Sequence, residues 1–364
     1  MLTPPIEPML ASPTGSAVPT AAERVCFEPK WDGFRCLVFR FADHVVLQGR
    51  GRSRGSSDEI IDLAYAFPEL VAACMEQLPV DTVIDGEIVV VHDGKLDFGV
   101  LSSRLRPRSE AGGPNITKLA TEHPSTLLAF DALFSHDDLR DVPFSERRDH
   151  LHRIAAGWAP PLRVTPSTTD RELAVTWFES FEAAGVDGLM VKGLDDTYQP
   201  GKRIQGKVKH QRSADVVVAG WRPHTKPGAD GNEVVGSLLL GLFDDEGVLQ
   251  YVGVASAFTA TVRRQLVDLL ETFSIAEGEE HPWRGEPRGR VPGEASRWKK
   301  EAPWRAVRAE LVAEVSYDQM EHDRFRHVAS FVRWRPDRSA ETCGYEQLEQ
   351  PPAATIDDLL SSAG

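Results

Sequence analysis

The local sequence pattern changes near residue 212, and this change limits the folds that the chain can adopt. Before it, strand-like apolar stretches alternate with helical ones, such as residues 145–156 and 170–184. After it, short strands alternate with turns, and one amphipathic helix is predicted over residues 259–273. About five strands around one helix are typical of a small β-barrel of the OB type. We therefore predict two domains, residues 1–212 and 213–364.

The overall composition excludes several classes of protein. No stretch approaches the ~20 apolar residues of a membrane span, and no secretory signal is visible at the N-terminus. The four cysteines Cys26, Cys36, Cys74 and Cys343 are far apart and form no C-x-x-C pair. We therefore expect no structural zinc site, and we expect the protein to act in a reducing compartment with free thiols. The 41 Lys and Arg residues stand against 55 Asp and Glu residues, a net charge of −14. Taken alone, this charge argues against a nucleic-acid partner, because phosphate binding requires positive surface.

The first candidate for chemistry is Lys30, in the pattern Lys30-x-Asp32-Gly33 with Arg35 close behind. One interpretation is a turn with a solvated lysine, since so short a pattern also arises by chance. The other is a covalent nucleophile that attacks the α-phosphate of a nucleotide and forms a phosphoramidate. An amine with a pKa near ~10.4 is protonated and inert at neutral pH, so this second interpretation requires burial or a nearby cation.

Acidic residues lie within apolar strands, in Asp85-Gly86-Glu87 and in the run from Asp187 to Lys192. Two carboxylates on one face of a strand are costly when they are buried without partners. They indicate either a solvated strand end or a site for a ribose hydroxyl or for Mg²⁺, which prefers oxygen ligands.

Three further features have ordinary explanations when each is taken alone. Lys207 and Lys209 share one face of an extended segment and form either a solvated strand edge or a clamp for a polyphosphate. Phe130, followed by Asp131, ends an apolar strand and is either a core residue or a platform for a purine. Residues 333–338 form a charged run after the last predicted strand.

The order and spacing of these motifs are more specific than any one of them. They read EPKWDGFR (28–35), VIDGEI (83–88), AFD (129–131), DGLMVK (187–192), KVKH (207–210) and FVRWRPDR (331–338). In this order they resemble the covalent nucleotidyltransferase superfamily and, within it, the ATP-dependent DNA ligases. Flanking stretches such as PFSERR (143–148) are similar to the small bacterial DNA ligase C group. The resemblance covers nearly the whole chain.

The resemblance implies an α+β fold, in which an N-terminal nucleotidyltransferase (adenylation) domain of antiparallel sheets and flanking helices precedes a C-terminal OB-fold β-barrel. It implies lysyl-AMP formation from ATP, AMP transfer to the 5′-phosphate of a nick, and phosphodiester formation, each an in-line phosphoryl transfer. The implied cofactors are ATP and Mg²⁺, with Mn²⁺ as a substitute. The implied partner is nicked duplex DNA, and the implied process is DNA repair, with repair polymerases on separate chains. The implied enzyme is a monomer in the bacterial cytoplasm.

The resemblance also implies a role for each residue that matches a motif, with Lys30 carrying the AMP. The other implied roles are adenine contact by Glu28, adenine stacking by Phe130, ribose or metal binding by Glu87, metal binding by Asp187, phosphate binding by Lys192, Lys207 and Lys209, pyrophosphate orientation by Arg335, Asp337 and Arg338, and nucleotide contact by Asp32, Arg35 and Arg50.

Three positions depart from the family pattern. Asp187 stands where Glu is frequent, Gln205 where many relatives have a large residue such as Trp, and Arg338 where Lys is usual. An RNA ligase and a capping-type guanylyltransferase remain alternatives within the superfamily. A catalytically inactive nick-binding module is an alternative of a different class, against which the intact Lys30 argues.

Two basic stretches reconcile the acidic net charge with DNA binding. Residues 284–308 carry eight Lys or Arg and three Asp or Glu, and residues 202–212 carry five basic residues and no acidic one. From the motifs and these stretches we predict DNA contacts by Arg35, Arg50, Lys202, Arg203, Arg297, Lys299 and Lys300. DNA binding should be modest, confined to one face, and weakened quickly as salt rises.

Overall fold

The computed structural model describes residues 1–19, 24–52, 60–105, 115–229, 231–276, 279–285, 287–293, 303–321, 323–348 and 354–361. The chain divides into two compact units. Met1–Lys209 together with Gln350–Gly364 form the first unit, and His210–Glu349 form the second. The boundary lies three residues before the predicted one at residue 212. The C-terminus, which we predicted as part of the second domain, belongs to the first unit.

The first unit is a mixed α+β structure. Its strands before residue 210 are β1 (Leu10–Pro13), β2 (Val25–Pro29), β3 (Phe34–Arg40), β4 (Val45–Arg52), β5 (Ile60–Asp62), β6 (Thr82–His92), β7 (Lys95–Leu96), β8 (Ser125–Ser135), β9 (Asp137–Asp138), β10 (Leu162–Val164), β11 (Leu189–Gly193) and β12 (Arg203–Val208). Its helices over the same range are α1 (Pro68–Gln77), α2 (Phe98–Ser103), α3 (Ile116–Glu122), α4 (Phe144–Ile154) and α5 (Arg171–Ser180).

Two sheets carry the functional side chains of this unit. One has the strand order β1-β12-β11-β2, and the other has the order β10-β8-β6-β3-β4-β5 with β7 and β9 paired at its side. Most neighbours are antiparallel, as predicted, whereas β1 pairs with β12 and β10 pairs with β8 in parallel. Alternation along each strand directs every second side chain to the same face, which is how residues distant in sequence line one cleft.

The sequence pattern over residues 58–78 predicts a helix with Pro68 as a point of interruption, and this predicted helix is too long. Residues 60–62 form β5, and α1 begins at Pro68, whose missing N–H is tolerated in the first turn of a helix. The sequence also predicts that Ser145 caps the helix over residues 145–156, but Ser145 lies inside α4, because that helix begins at Phe144 after Pro143.

The N-terminal segment is not the surface arm that its Pro- and Thr-rich composition suggests. Ile6 and Met9 are buried, and β1 pairs with β12 along one sheet edge. The side chain of Gln48 fixes Ile6 in both directions: its Oε1 accepts from the Ile6 N–H at 3.0 Å and its Nε2 donates to the Ile6 carbonyl at 2.6 Å. This segment therefore forms one wall of the first unit.

The second unit is a closed five-stranded barrel. Its elements are β13 (Arg212–Pro223), β14 (Val235–Phe243), β15 (Leu249–Ser256), α6 (Ala260–Glu271), β16 (Arg305–Tyr317), β17 (Met320–Glu321), β18 (Arg324–Phe325) and β19 (Ala329–Trp334). The barrel closes in the order β13-β14-β15-β19-β16. Leu266 and Leu270 of α6 are buried in its core, and the Thr259 hydroxyl caps the helix by accepting from the Val262 N–H at 3.3 Å. The predicted OB-type barrel with one amphipathic helix is confirmed.

The last helix, α7 (Ile356–Ser361), packs on the first unit. Ile356 and Leu359 are 1% and 0% exposed and lie in the same core cluster as Phe27 and Trp177. The Ile356 N–H donates to the carbonyl of Gly94, in the turn between β6 and β7, at 2.9 Å. Within the described part of the chain, no helix has the length and apolar character needed to cross a membrane.

Candidate active site

Antiparallel pairing of β2 with β11 brings Lys30 next to Asp187. Leu189 lies opposite Pro29, and beyond this pair the Lys30 N–H donates to the Gly188 carbonyl while the Asp187 N–H donates to the Lys30 carbonyl, each at 2.9 Å. Gly188 has a φ of +113°, and a Cβ there would lie 2.0 Å from the carbonyl oxygen of Val208. Only glycine permits this close approach, which explains its place beside the acidic residue.

Three charged side chains meet at the end of this pairing. The Lys30 ammonium forms an ion pair with Asp187 Oδ2, and the Lys209 ammonium lies 2.7 Å from the same oxygen. The side chains of Lys30 and Asp187 are 20% and 10% exposed, so the pair is shielded but still reachable from the cleft. One carboxylate oxygen thus holds two ammonium groups that the sequence separates widely.

A cleft of about 190 Å³ lies between the two sheets of the first unit, and Lys30 opens into it. Register explains the composition of one wall, because Met190 lies opposite both Glu28 and Lys207. The residues lining the cleft are Pro8, Met9, Leu10, Ala11, Glu28, Pro29, Lys30, Trp31, Arg35, Arg50, Glu87, Phe130, Met190, Lys192, Arg203, Gln205 and Lys207. Most of the predicted nucleotide-binding residues of the first domain are therefore brought together.

At one part of the cleft, a buried carboxylate is flanked by two cations. Glu28 is 1% exposed; its Oε2 lies 2.6 Å from the Lys192 ammonium, and its Oε1 accepts from Arg148 at 3.1 Å. The Lys192 ammonium also lies 4.4 Å from the centroid of the Phe130 ring. Lys192 thus contacts Glu28 and Phe130, the two residues predicted to bind adenine.

A buried network also holds Arg35 next to Phe130. Its guanidinium binds Asp85 through two hydrogen bonds of 2.5 and 2.6 Å and lies 4.5 Å from the Phe130 ring centroid. The Tyr198 hydroxyl donates to Asp85 at 2.7 Å and accepts from the Met9 N–H at 3.0 Å. Burial and the neighbouring Asp85 carboxylate raise the pKa of the Tyr198 phenol well above its usual value, so this hydroxyl remains a donor.

Glu87 lies directly opposite Arg35 in the pairing of β3 with β6 and faces the cleft. Burial raises the pKa of its carboxyl group to about 7, although the nearby Arg35 and Lys30 oppose this shift. Gly33 allows the two strands to approach, because a Cβ there would lie 2.2 Å from the carbonyl of Ile88. Asp32, in the same turn, is half-buried.

Lys207 faces the cleft from β12, and burial lowers its pKa, as do the charges of Lys30 and Lys209. Lys207 and Lys209, the two predicted phosphate ligands, thus both lie near Lys30. Gln205, a departure from the family pattern, is 4% exposed and lines the same wall.

The sequence did not identify two buried residues that support the site, Arg148 and Tyr198, each of which binds a residue that lines the cleft. Asp85, noted in the sequence beside Glu87, binds Arg35, another residue of the lining. Asp131 was noted only beside Phe130; it pairs with buried Arg147 at 2.8 and 3.0 Å. The adjacent arginines Arg147 and Arg148 were a signal in the sequence for such partners, because an arginine that becomes buried in a helix requires carboxylate or carbonyl groups around it.

In the second unit, the predicted C-terminal residues form a charged cluster around Asp215 of β13. Arg335 binds the Asp215 carboxylate through two contacts of 3.0 Å and Asp337 at 2.8 Å, and Arg338 lies 3.3 Å from Asp215. Hydrogen bonding to Arg335 lowers the pKa of Asp337 to about 2. Asp215 was not predicted from the sequence, and its position opposite Glu314 in the barrel explains its access to this cluster.

The predicted DNA-contacting residues are only partly described. Arg50 is exposed at the rim of the cleft, and Arg203 is exposed while its guanidinium donates to the Ala11 carbonyl at 2.8 Å. Lys202 is exposed beside it. Arg297, Lys299 and Lys300 lie outside the described residues.

Two family models match the chain. Residues 8–210 match the ATP dependent DNA ligase domain, and residues 231–338 match the ATP dependent DNA ligase C terminal region. The first match covers the cleft and all the residues that line it. The second covers most of the barrel and includes Arg335, Asp337 and Arg338, while Asp215 lies before it.

Individual proteins agree with these matches. DNA ligase C2 of Mycolicibacterium smegmatis is 46% identical, over 96% of this chain and 96% of its own length. DNA ligase C of Mycobacterium tuberculosis is 42% identical, over 98% of this chain and 97% of its own length. A solved Lig E DNA ligase, 17% identical, shares the fold with a TM-score of 0.52, over 90% of this chain and 99% of that one. The chain therefore belongs to the ATP-dependent DNA ligase family and is an enzyme of that class.

Proposed function

We propose that this ligase seals nicks in duplex DNA through an AMP group carried on Lys30. The observation that carries the proposal is the position of the Lys30 amine: it opens into the cleft, contacts Asp187, and has Lys207 and Lys209 beside it. A nucleophile, a carboxylate and cations at one end of the cleft suit attack on an α-phosphate.

In the first step, the Lys30 amine forms a bond to the α-phosphorus while the bond to pyrophosphate breaks. The ammonium must lose a proton before it attacks, and Asp187 is the carboxylate in contact with it. Lys207 and Lys209 would neutralise charge on the phosphates. AMP then passes to the 5′-phosphate of the nick, and the 3′-hydroxyl displaces it.

The opposite part of the cleft would bind the base. Glu28 and Phe130 retain their predicted adenine contacts. We assign Lys192 to this part as well, in place of its predicted phosphate role, because its ammonium contacts Glu28 and lies against the Phe130 ring. Arg35 and Arg50 would bind nucleotide first and the nick 5′-phosphate later.

Two carboxylates near Lys30 fit a magnesium ion. Mg²⁺ keeps several waters and binds through one or two carboxylates together with substrate phosphates. Glu87 and Asp187, both adjacent to Lys30, provide such carboxylates, and a cation would favour the ionised form of Glu87. When bound, the metal would neutralise charge on the reacting phosphates.

The remaining roles rest on the family resemblance and on the two basic stretches of the sequence. Arg335, Asp337 and Arg338 would orient the pyrophosphate, and Lys202, Arg203, Arg297, Lys299 and Lys300 would contact nicked DNA. The repair role, the monomeric state, the separate polymerases and the bacterial cytoplasm as the place of action belong to the same proposal.

The test of this function is incubation with ATP labelled at the α-phosphate and Mg²⁺. Wild-type protein should acquire an acid-labile label on lysine, Lys30→Ala should acquire none, and Lys95→Ala, an exposed lysine of β7, should match wild type. Equal labelling of Lys30→Ala would disprove the assignment. Parallel reactions with GTP and NAD test for the related enzymes, and sealing of nicked DNA compared with nicked RNA identifies the polynucleotide.

A further inference from the structure

The Glu28 carboxylate depends on a residue outside the cleft. Arg148 of α4 donates to Glu28 Oε1 at 3.1 Å and also donates to the carbonyl of Thr165. Its side chain is 8% exposed, and it is not among the residues that line the cleft. Arg148 can therefore act on a nucleotide only through Glu28 or through the backbone near Thr165.

Both of these partners belong to the wall of the cleft. Glu28 lines it directly, and the indole N–H of Trp31, another lining residue, donates to the Thr165 hydroxyl. The Thr165 N–H in turn donates to the Ala129 carbonyl at 2.8 Å, next to Phe130. One guanidinium thus connects the carboxylate, the indole and the strand that carries the aromatic ring.

The two cations around Glu28 face different oxygens. Lys192 contacts Oε2 and Arg148 contacts Oε1, so the plane of the carboxylate is determined by both. A carboxylate in such a setting offers only acceptor sites to a ligand. Adenine presents an amino donor at position 6, whereas guanine presents a carbonyl acceptor there. A carboxylate held in this plane accepts a hydrogen bond from the adenine amino group and repels the guanine carbonyl oxygen.

We propose that Arg148 is a positioning residue that holds Glu28 in the orientation that selects a 6-amino purine over other purines. This inference rests on the proposed adenine site around Glu28. The adjacent Arg147 has a different role, because it binds Asp131 and two backbone carbonyls and is fully buried.

The experiment measures lysyl-nucleotide formation with ATP and with purine riboside triphosphate, which lacks the 6-amino group. Wild type, Arg148→Gln, Arg148→Lys and Arg153→Gln are compared. Arg153 is exposed on the same helix and provides the matched control. For each protein the ratio of kcat/KM for the two nucleotides is the readout, and thermal unfolding shows that each variant is folded.

Wild type and Arg153→Gln should prefer ATP roughly tenfold or more, as expected for a hydrogen bond to a charged group. In Arg148→Gln this preference should fall toward unity, mainly through a higher KM for ATP. Arg148→Lys retains the charge but loses the planar guanidinium, and should recover part of the preference. If Arg148→Gln does not fold, Arg148→Lys carries the comparison.

An unchanged ratio in a folded Arg148 variant, with both nucleotides weakened equally, would overturn the inference, because a merely structural role acts on both alike. A wild-type enzyme that does not discriminate between the nucleotides would also overturn it. Wild-type protein that forms no lysyl-nucleotide at all would instead disprove the proposed function, together with everything that rests on it.

Discussion

Lys30 and Asp187 are 157 positions apart, yet they share a backbone hydrogen bond and an ion pair. The N–H of Asp187 donates to the carbonyl of Lys30 at 2.9 Å, so the two main chains run side by side where the side chains meet. Lys209 then approaches the same carboxylate oxygen at 2.7 Å. The reactive end of the cleft is thus built by three strands, and its geometry depends on one acidic side chain.

Replacing Asp187 should affect the first chemical step. Asp187→Asn removes the charge that pairs with Lys30 and Lys209 and should slow lysyl-AMP formation about 100-fold or more, within the range known for removal of an acid–base or electrostatic catalyst. Asp187→Glu, the residue frequent in relatives, should retain most of the rate. Single-turnover labelling at saturating ATP measures both. A rate for Asp187→Asn close to that of wild type would contradict this role.

Replacing Asp215 should separate the steps of the reaction. Asp215→Asn removes the carboxylate that holds Arg335 and Arg338, and we expect lysyl-AMP formation to slow roughly tenfold or more, as for loss of a charge-assisted hydrogen bond. Sealing of a nick that already carries AMP should stay near the wild-type rate, because the resemblance assigns these arginines to pyrophosphate. Glu310→Gln, which alters an exposed ion pair with Arg308 on the same barrel, provides the control. Equal losses in both assays would contradict the assignment.

The Glu87 carboxyl should give the apo enzyme a distinctive dependence on pH. Its folded pKa of about 7 exceeds the ordinary value of 4.5, so folding favours the protonated form. The resulting stability is complete below pH 4.5 and is lost as the pH rises toward and through 7. Unfolding curves recorded in a chelator should show this loss for wild type and a flatter profile for Glu87→Gln. Glu179→Gln, an exposed carboxylate on α5, should keep the wild-type profile.

The C-terminal helix should contribute to the stability of the first unit. Leu359→Ala creates a cavity among Trp177 and its neighbours and should lower the free energy of unfolding by about 2–5 kcal/mol. Ser361→Ala, an exposed position of the same helix, should be nearly neutral. Denaturant unfolding followed by tryptophan fluorescence measures the difference. No loss of stability in Leu359→Ala would show that the helix does not pack on this core in solution.

The local patterns were sufficient for much of the architecture. The alternation of strands and helices before residue 212, the helices α4, α5 and α6, and the barrel were all predicted, because period-two and period-3.6 patterns report directly on burial. The predictions failed where long-range packing decides the outcome. The stretch before Pro68 has helical composition but forms β5 next to β4. The polar N-terminus forms β1 because a partner strand, β12, is available.

The active site shows the same contrast between what local patterns predict and what long-range packing decides. The order of Lys30, Glu87, Phe130, Asp187 and the later lysines is enough to predict the chemical groups of an ATP-dependent ligase. Which of these groups touch one another depends on how the strands pair. Lys192 and Lys207 lie in motifs that look alike, yet strand register places Lys192 with Glu28 and Phe130, and Lys207 near Lys30. The physical reason is that a side chain's partners depend on pairing between strands that are distant in sequence. Burial then demands a partner for every charge, and Tyr198 and Asp215 meet that demand without any local pattern that identifies them.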